Sequence, residues 1–127
     1  MTDWAGTQVE DFLAKYPTPS VEGLCFLLRH SEFWPEDFEW DYGQWDTCAM
    51  GLAKDTWGLQ RKDPAVSWLK TVCDAIGITV HYGRQAFEYA ADCLPEYDTG
   101  EDEKVPPGLV ADELQYWYGR QMREMAA

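Results

Sequence analysis

Apolar residues recur along this chain at three- and four-residue spacing, in stretches separated by proline, glycine and acidic runs. That spacing lines one face of a helix, whereas a half-buried strand would alternate. Val9, Phe12, Leu13 and Tyr16 form the first stripe, and Pro17 closes it. Thr7 and Glu10 have the spacing of a capping box, in which hydroxyl and carboxylate satisfy backbone donors reciprocally. Thr18-Pro19 predicts a restart, a cap residue followed by proline at the first helical position. Val21, Leu24, Cys25 and Leu28 give a second stripe that runs to His30 or its neighbour.

Residues 31–46 break the period and read as a loop. Asp46-Thr47 offers a cap for a third helix that opens with Cys48-Ala49-Met50-Gly51-Leu52-Ala53, reaches Trp57 and stops at Gly58. Asp63-Pro64 repeats the cap-then-proline signature, and Val66, Leu69, Val72, Cys73 and Ile76 mark the buried face of a fourth helix. Gly77 is well placed to end it. Ile78-Thr79-Val80-His81-Tyr82 has strand propensity, but a lone strand would have no partner. The expectation is a short extended turn, then a fifth helix from Tyr82 through Ala86, Phe87, Ala90 and Cys93 to Leu94. Pro95 to Pro107 is a second loop, acidic between residues 96 and 103. Pro106-Pro107 leads into a last helix carrying Leu109, Val110, Leu114, Trp117, Tyr118 and Met122. No internal repeat is visible. The predicted fold class is all-α: a single helical domain over residues 1–127, with five or six helices and two acidic loops.

Charge narrows the functional classes. The chain carries a net charge of −13 over 127 residues, together with seven tryptophans and seven tyrosines. A surface this negative is repelled by nucleic-acid phosphates, which argues against direct nucleic-acid binding. The same charge steers the protein towards a basic surface, including one that normally holds nucleic acid. Hydrophobic residues make up 46% of the chain, enough for a core and against wholesale disorder. No stretch approaches the roughly 20 apolar residues of a membrane span. The first residues lack the basic and apolar regions of a secretory signal, so a cytoplasmic location without membrane contact is expected. Cys25, Cys48, Cys73 and Cys93 form no C-x-x-C pair and sit among apolar neighbours, as core thiols would.

The loop at 31–46 holds six acids, six aromatics and no base. Phe33, Trp34, Phe38, Trp40, Tyr42 and Trp45 together would make an exposed patch of a kind monomers seldom carry. Two readings follow. The rings fold back as a lid over the helices with the acids outside, or they anchor an interface with an acidic rim. In the second reading Glu36, Asp37, Glu39 and Asp41 supply phosphate-like charge, and Trp40 and Trp45 anchor the contact. Glu101, Asp102 and Glu103 of the second loop extend it. Lys54, Arg61, Lys62 and Lys70 bracket the third and fourth helices, so a polarised molecule is expected.

Reactive chemistry has one candidate. Cys48 would stand near the N-terminus of the third helix, where the helix dipole favours a thiolate. A cysteine enzyme would also need His30 or His81 as base, and neither has a recognisable triad context. Burial as a structural thiol is the competing explanation for Cys48. His30 suits the negative end of the second helix, and His81 suits a partly buried side chain. Asp37, Glu39 and Asp41 suggest calcium, but the EF-hand positions that need glycine and glutamate hold Tyr42 and Cys48. No metal site or cofactor is expected. Phosphate loops, H-E-x-x-H and G-x-S-x-G are absent from the sequence.

The run Trp34-Pro35 … Trp40-Asp41-Tyr42 … Thr47-Cys48-Ala49-Met50-Gly51-Leu52-Ala53 … Trp57 resembles a pattern found in small, uncharacterised bacterial and phage-borne proteins. The resemblance implies no activity and carries over no catalytic residue; it implies that the Cys48 segment is a structural signature. By size and charge the chain also resembles the acidic anti-CRISPR and anti-restriction proteins of mobile elements, some of which present carboxylates in place of DNA phosphates. The expected function is that of a non-enzymatic interaction protein. Its loops at 32–46 and 96–103 would block a basic nucleic-acid-binding surface of a host defence complex. The alternatives are a small cysteine-dependent enzyme using Cys48, or a bacterial accessory subunit.

Overall fold

The structure, a computed structural model, describes residues 4–36, 38–40, 48–88 and 105–126. Those residues form six α-helices and no strand: α1 (Trp4–Lys15), α2 (Val21–Arg29), α3 (Ala49–Trp57), α4 (Trp68–Ile76), α5 (Val80–Phe87) and α6 (Pro107–Ala126). A 3-10 turn, Ser31–Phe33, follows α2. The all-α expectation holds. None of the described helices is long and apolar enough to cross a membrane.

Helix α6 is the spine. Its 20 residues span about 30 Å, and it packs against both α2 and α5. Val110, Leu114 and Gln121 are buried on it and Trp117 is half-buried, a spacing of four, three and four that keeps one face inward. Helix α3 is different, because Ala49, Met50, Gly51, Leu52 and Ala53 are all buried in succession. Small residues let it sit with apolar contacts on every side. The buried side chains of all six helices and of Val105 join one continuous cluster.

The helix starts differ from the sequence-based expectation in five places, among them α3, which starts at Ala49 with Cys48 rather than Thr47 as its N-cap. Helix α1 begins at Trp4, so Thr7 lies inside it rather than capping it. Helix α2 is capped by Ser20, whose Oγ accepts the Gly23 N–H at 2.9 Å, and not by Thr18. Asp63-Pro64 opens a turn rather than a helix. The Asp63 carboxylate accepts the Ala65 N–H and its carbonyl accepts the Val66 N–H, both at 2.9 Å. Helix α4 waits for Ser67, whose Oγ accepts the Lys70 N–H. Thr79 caps α5 by accepting the Tyr82 N–H, which starts that helix at Val80 instead of Tyr82. In α2, α4 and α5 a hydroxyl satisfies an orphan amide of the first turn, and at Val80 this outweighs strand propensity. The helix stops were read correctly at Gly58 and Gly77, where φ is 66° and 84°. Only glycine enters that left-handed region without a steric penalty.

Two polar side chains are buried among the described residues, Thr56 and Gln121, and the second ties separate elements together. Gln121 accepts the Thr79 N–H at 2.7 Å and donates to the Gly77 carbonyl at 3.0 Å. It thereby clamps the α4–α5 turn onto α6, a role no periodicity reveals. Replacing Gln121 with leucine strands both backbone groups, and chemical denaturation should show a loss of about 1–3 kcal/mol. Gly83→Ala should be at least as harmful, because its Cβ would overlap the Cys73 sulfur. Gly108→Ala, where nothing stands within 4 Å, should be neutral or slightly stabilising in the same assay.

Candidate interaction surface

After α2 the chain continues as a strap, residues 31–36 and 38–40, whose first turn packs against α1 and α2. Two turns shape it. Trp34 N–H reaches the Ser31 carbonyl at 3.1 Å, and Phe38 N–H reaches the Pro35 carbonyl at 3.0 Å. Along the strap Glu32, Glu36 and Glu39 are exposed, while Phe33, Trp34, Phe38 and Trp40 are half-buried against the core. The sorting is by chemistry: rings lose more water-exposed apolar area when they turn inward, and carboxylates keep their hydration by turning out.

Two indole hydrogen bonds fix the arrangement. Trp34 Nε1 donates to the Leu27 carbonyl at 2.6 Å, in the last turn of α2, an oxygen that also accepts the His30 N–H at 3.2 Å. Trp40 Nε1 donates to the Val105 carbonyl at 2.7 Å, across 65 positions of sequence. Val105 is fully buried and leads into α6. Trp34 packs edge-on to Phe38 at 5.4 Å, and its ring lies 6.1 Å from that of Trp40. For these four rings the lid reading describes the geometry. Trp40, expected as an anchor for a partner, has its N–H committed within the chain.

Glu36 and Glu39 stand without an ion-pair partner among the described residues, whereas Glu32 lies 3.6 Å from His30 Nδ1. Asp37, Asp41, Trp45, Glu101, Asp102 and Glu103 lie outside the described residues. The pair of indole bonds thus holds the segment from which Glu36 and Glu39 are exposed. Sequence reasoning identified the acids and the rings but missed Leu27 and Val105 as acceptors, since a carbonyl leaves no signature in residue type.

Cys48 is 3% exposed at the N-cap of α3, where its side chain makes no capping hydrogen bond. His81 is exposed, contrary to expectation, with its ring 5.0 Å from that of Tyr82. His30 ends α2, stacks on Phe26 at 4.2 Å and lines a cleft of about 420 Å³ between α2 and α6. The thiol in that cleft is Cys25, whose Sγ donates to the Ala111 carbonyl. Burial pushes the Cys25 thiol up to about 11, with Asp112 adding and Arg29 opposing. Burial likewise pushes Cys73 to about 12. Both are therefore protonated, poor nucleophiles at neutral pH. Among the described residues no group of three or more His, Cys, Asp or Glu is placed to hold a metal ion.

The raised thiols have a consequence for stability. As pH rises past about 9 the unfolded chain releases these protons before the folded one does, so the unfolded state binds fewer and stability falls. Each thiol contributes a slope of about 1.4 kcal/mol per pH unit between its two values. Urea unfolding from about pH 8 to about pH 10.5 should show that decline, with a shallower slope in Cys73→Ala. On the strap, Trp40→Phe keeps most ring contact but loses the bond to Val105. It should cost about 1–2 kcal/mol and speed proteolysis within the strap. Glu36→Gln with Glu39→Gln should change stability by less than about 0.5 kcal/mol.

No protein-family model matches this chain, and no curated protein or solved structure does.

Proposed function

We propose that this is a non-enzymatic, acidic interaction protein that occupies a basic nucleic-acid-binding surface of a host protein complex, as an anti-defence inhibitor of the anti-CRISPR kind. The observation that carries the reading is the strap. Its rings are turned inward and hydrogen-bonded to the body, so Glu36 and Glu39 face outward with no cation to neutralise them among the described residues. A carboxylate held in place loses less entropy on docking than one on a loose loop, which favours binding by a rigid display. Net charge adds long-range steering towards a positive groove. Asp37 and Asp41 belong to the same run, and the acids at 101–103 extend it in this reading. Size and acidity, the likeness to anti-CRISPR and anti-restriction proteins, point the same way.

The test is a tagged pull-down from host lysate with the wild-type protein and a Glu36→Lys/Glu39→Lys variant, partners being identified by mass spectrometry. The wild type should retain a nucleic-acid-binding complex that DNA or RNA competes away and high salt releases. The double reversal should keep its helical circular dichroism and lose about tenfold or more in affinity, mostly through slower association. Equal retention by both proteins, or a partner that resists salt and nucleic acid alike, overturns the proposal.

A further inference from the structure

The acidic strap has an opposite elsewhere on the molecule. Of ten lysines and arginines, four lie between positions 54 and 70: Lys54 in α3, Arg61 and Lys62 on the connection from α3 to α4, and Lys70 in α4. Trp68, the first residue of α4, stands among them. Lys54 Nζ lies 5.8 Å and the Arg61 guanidinium carbon 5.2 Å from its ring centroid. Lys54, Arg61 and Trp68, with Asp55, Leu59 and Gln60, line an open cleft of about 480 Å³. Lys62 and Lys70, with Asp74, border a separate groove of about 360 Å³.

Part of this charge is spent internally. Asp55 lies 3.2 Å from Lys54, and Asp74 lies 2.9 Å from Lys70. Arg61 is different. Its Nη1 reaches only two neutral carbonyls, of Pro64 and Val66, both at 3.4 Å. A guanidinium has five N–H donors, and no carboxylate among the described residues takes any of those on Arg61. An indole, an arginine fork with donors to spare and the Lys54 ammonium, paired with Asp55, therefore converge on one cleft. In a chain of net charge −13 that is a local reversal of sign.

We propose that this cleft binds a small planar anion, an aromatic ring bearing a phosphate, of the mononucleotide class. The ring takes a place over Trp68 that the flexible Lys54 and Arg61 side chains yield as they turn to the phosphate, and stacking there is tolerant of ring identity. The phosphate takes the forked donors of Arg61, with Lys54 as a second charge. Cleft volume falls within the ordinary range for small ligands. A long nucleic acid is disfavoured, since most of its phosphates would lie over acidic surface. A mononucleotide brings only its own few charges to the one positive region.

The experiment is nitrogen-resolved NMR titration of the full chain with AMP, adenosine and inorganic phosphate, the Trp68 indole signal being assigned with Trp68→Phe. AMP should shift that signal saturably and bind about tenfold or more tighter than adenosine or phosphate alone. Arg61→Gln should weaken AMP binding by about tenfold, with thermal unfolding unchanged; Lys54→Gln should weaken it less. Three results would overturn the proposal: no saturable shift of the Trp68 indole, equal binding of AMP and phosphate, or full binding by Arg61→Gln. The Glu36 and Glu39 variants should bind AMP as the wild type does, so this site stands or falls separately from the strap.

Discussion

Twenty-three acids against ten bases mean that this chain cannot be held together by ion pairs. Even complete pairing would leave the excess negative charge repelling itself. The pairs that do form are at the surface, such as Arg29 with Asp112 and Lys70 with Asp74, and exposed pairs of that kind contribute little. Cohesion must come from neutral contacts, and the structure is organised accordingly. Apolar side chains from every helix share one cluster, and the buried polar link at Gln121 is an amide. The indoles of Trp34, Trp40 and Trp57 each donate to a backbone carbonyl.

These indole bonds matter because they combine two tasks. A tryptophan buries a large apolar area and still satisfies its one donor. Trp57 joins the end of α3 to Tyr16 after α1, and Trp40 joins the strap to the entry of α6. The links span 41 and 65 positions of sequence, so they close the tertiary structure without adding any charge. Surface acids are then at liberty to serve contact with something else. The proposed blocking role and the proposed mononucleotide cleft use the two ends of that division: uncompensated carboxylates on the strap, and a cluster of cations around Trp68.

The helices were legible because their signals are local. Stripes at three- and four-residue spacing marked α2, α4 and α6, and Gly58 and Gly77 marked the ends of α3 and α4. The starts were less legible, since several hydroxyls and carboxylates compete for each cap. Ser20 and Ser67 prevailed where proline-based signatures pointed to Thr18 and Asp63. Of the candidate surface, its acids and aromatics could be read directly, and the inward turn of Phe33, Trp34, Phe38 and Trp40 was one of two readings. What decided between them were the carbonyls of Leu27 and Val105. The second of these is too distant in sequence for any local pattern to reveal. Gln121 was hidden for the same reason, a polar residue on an apolar face whose partners lie on another element.

The central claim is that indole hydrogen bonds pin an acidic strap to a neutral core. Hydrogen exchange of the tryptophan side-chain N–H groups, followed by NMR, tests it most directly. The account predicts that the Trp34 and Trp40 indole protons exchange slowly, with protection approaching that of the core amides of α2 and α6, and that Trp40→Phe removes protection from the Trp34 indole in part. Exchange of both indoles at the rate of an exposed side chain, while the core amides stay protected, would contradict it.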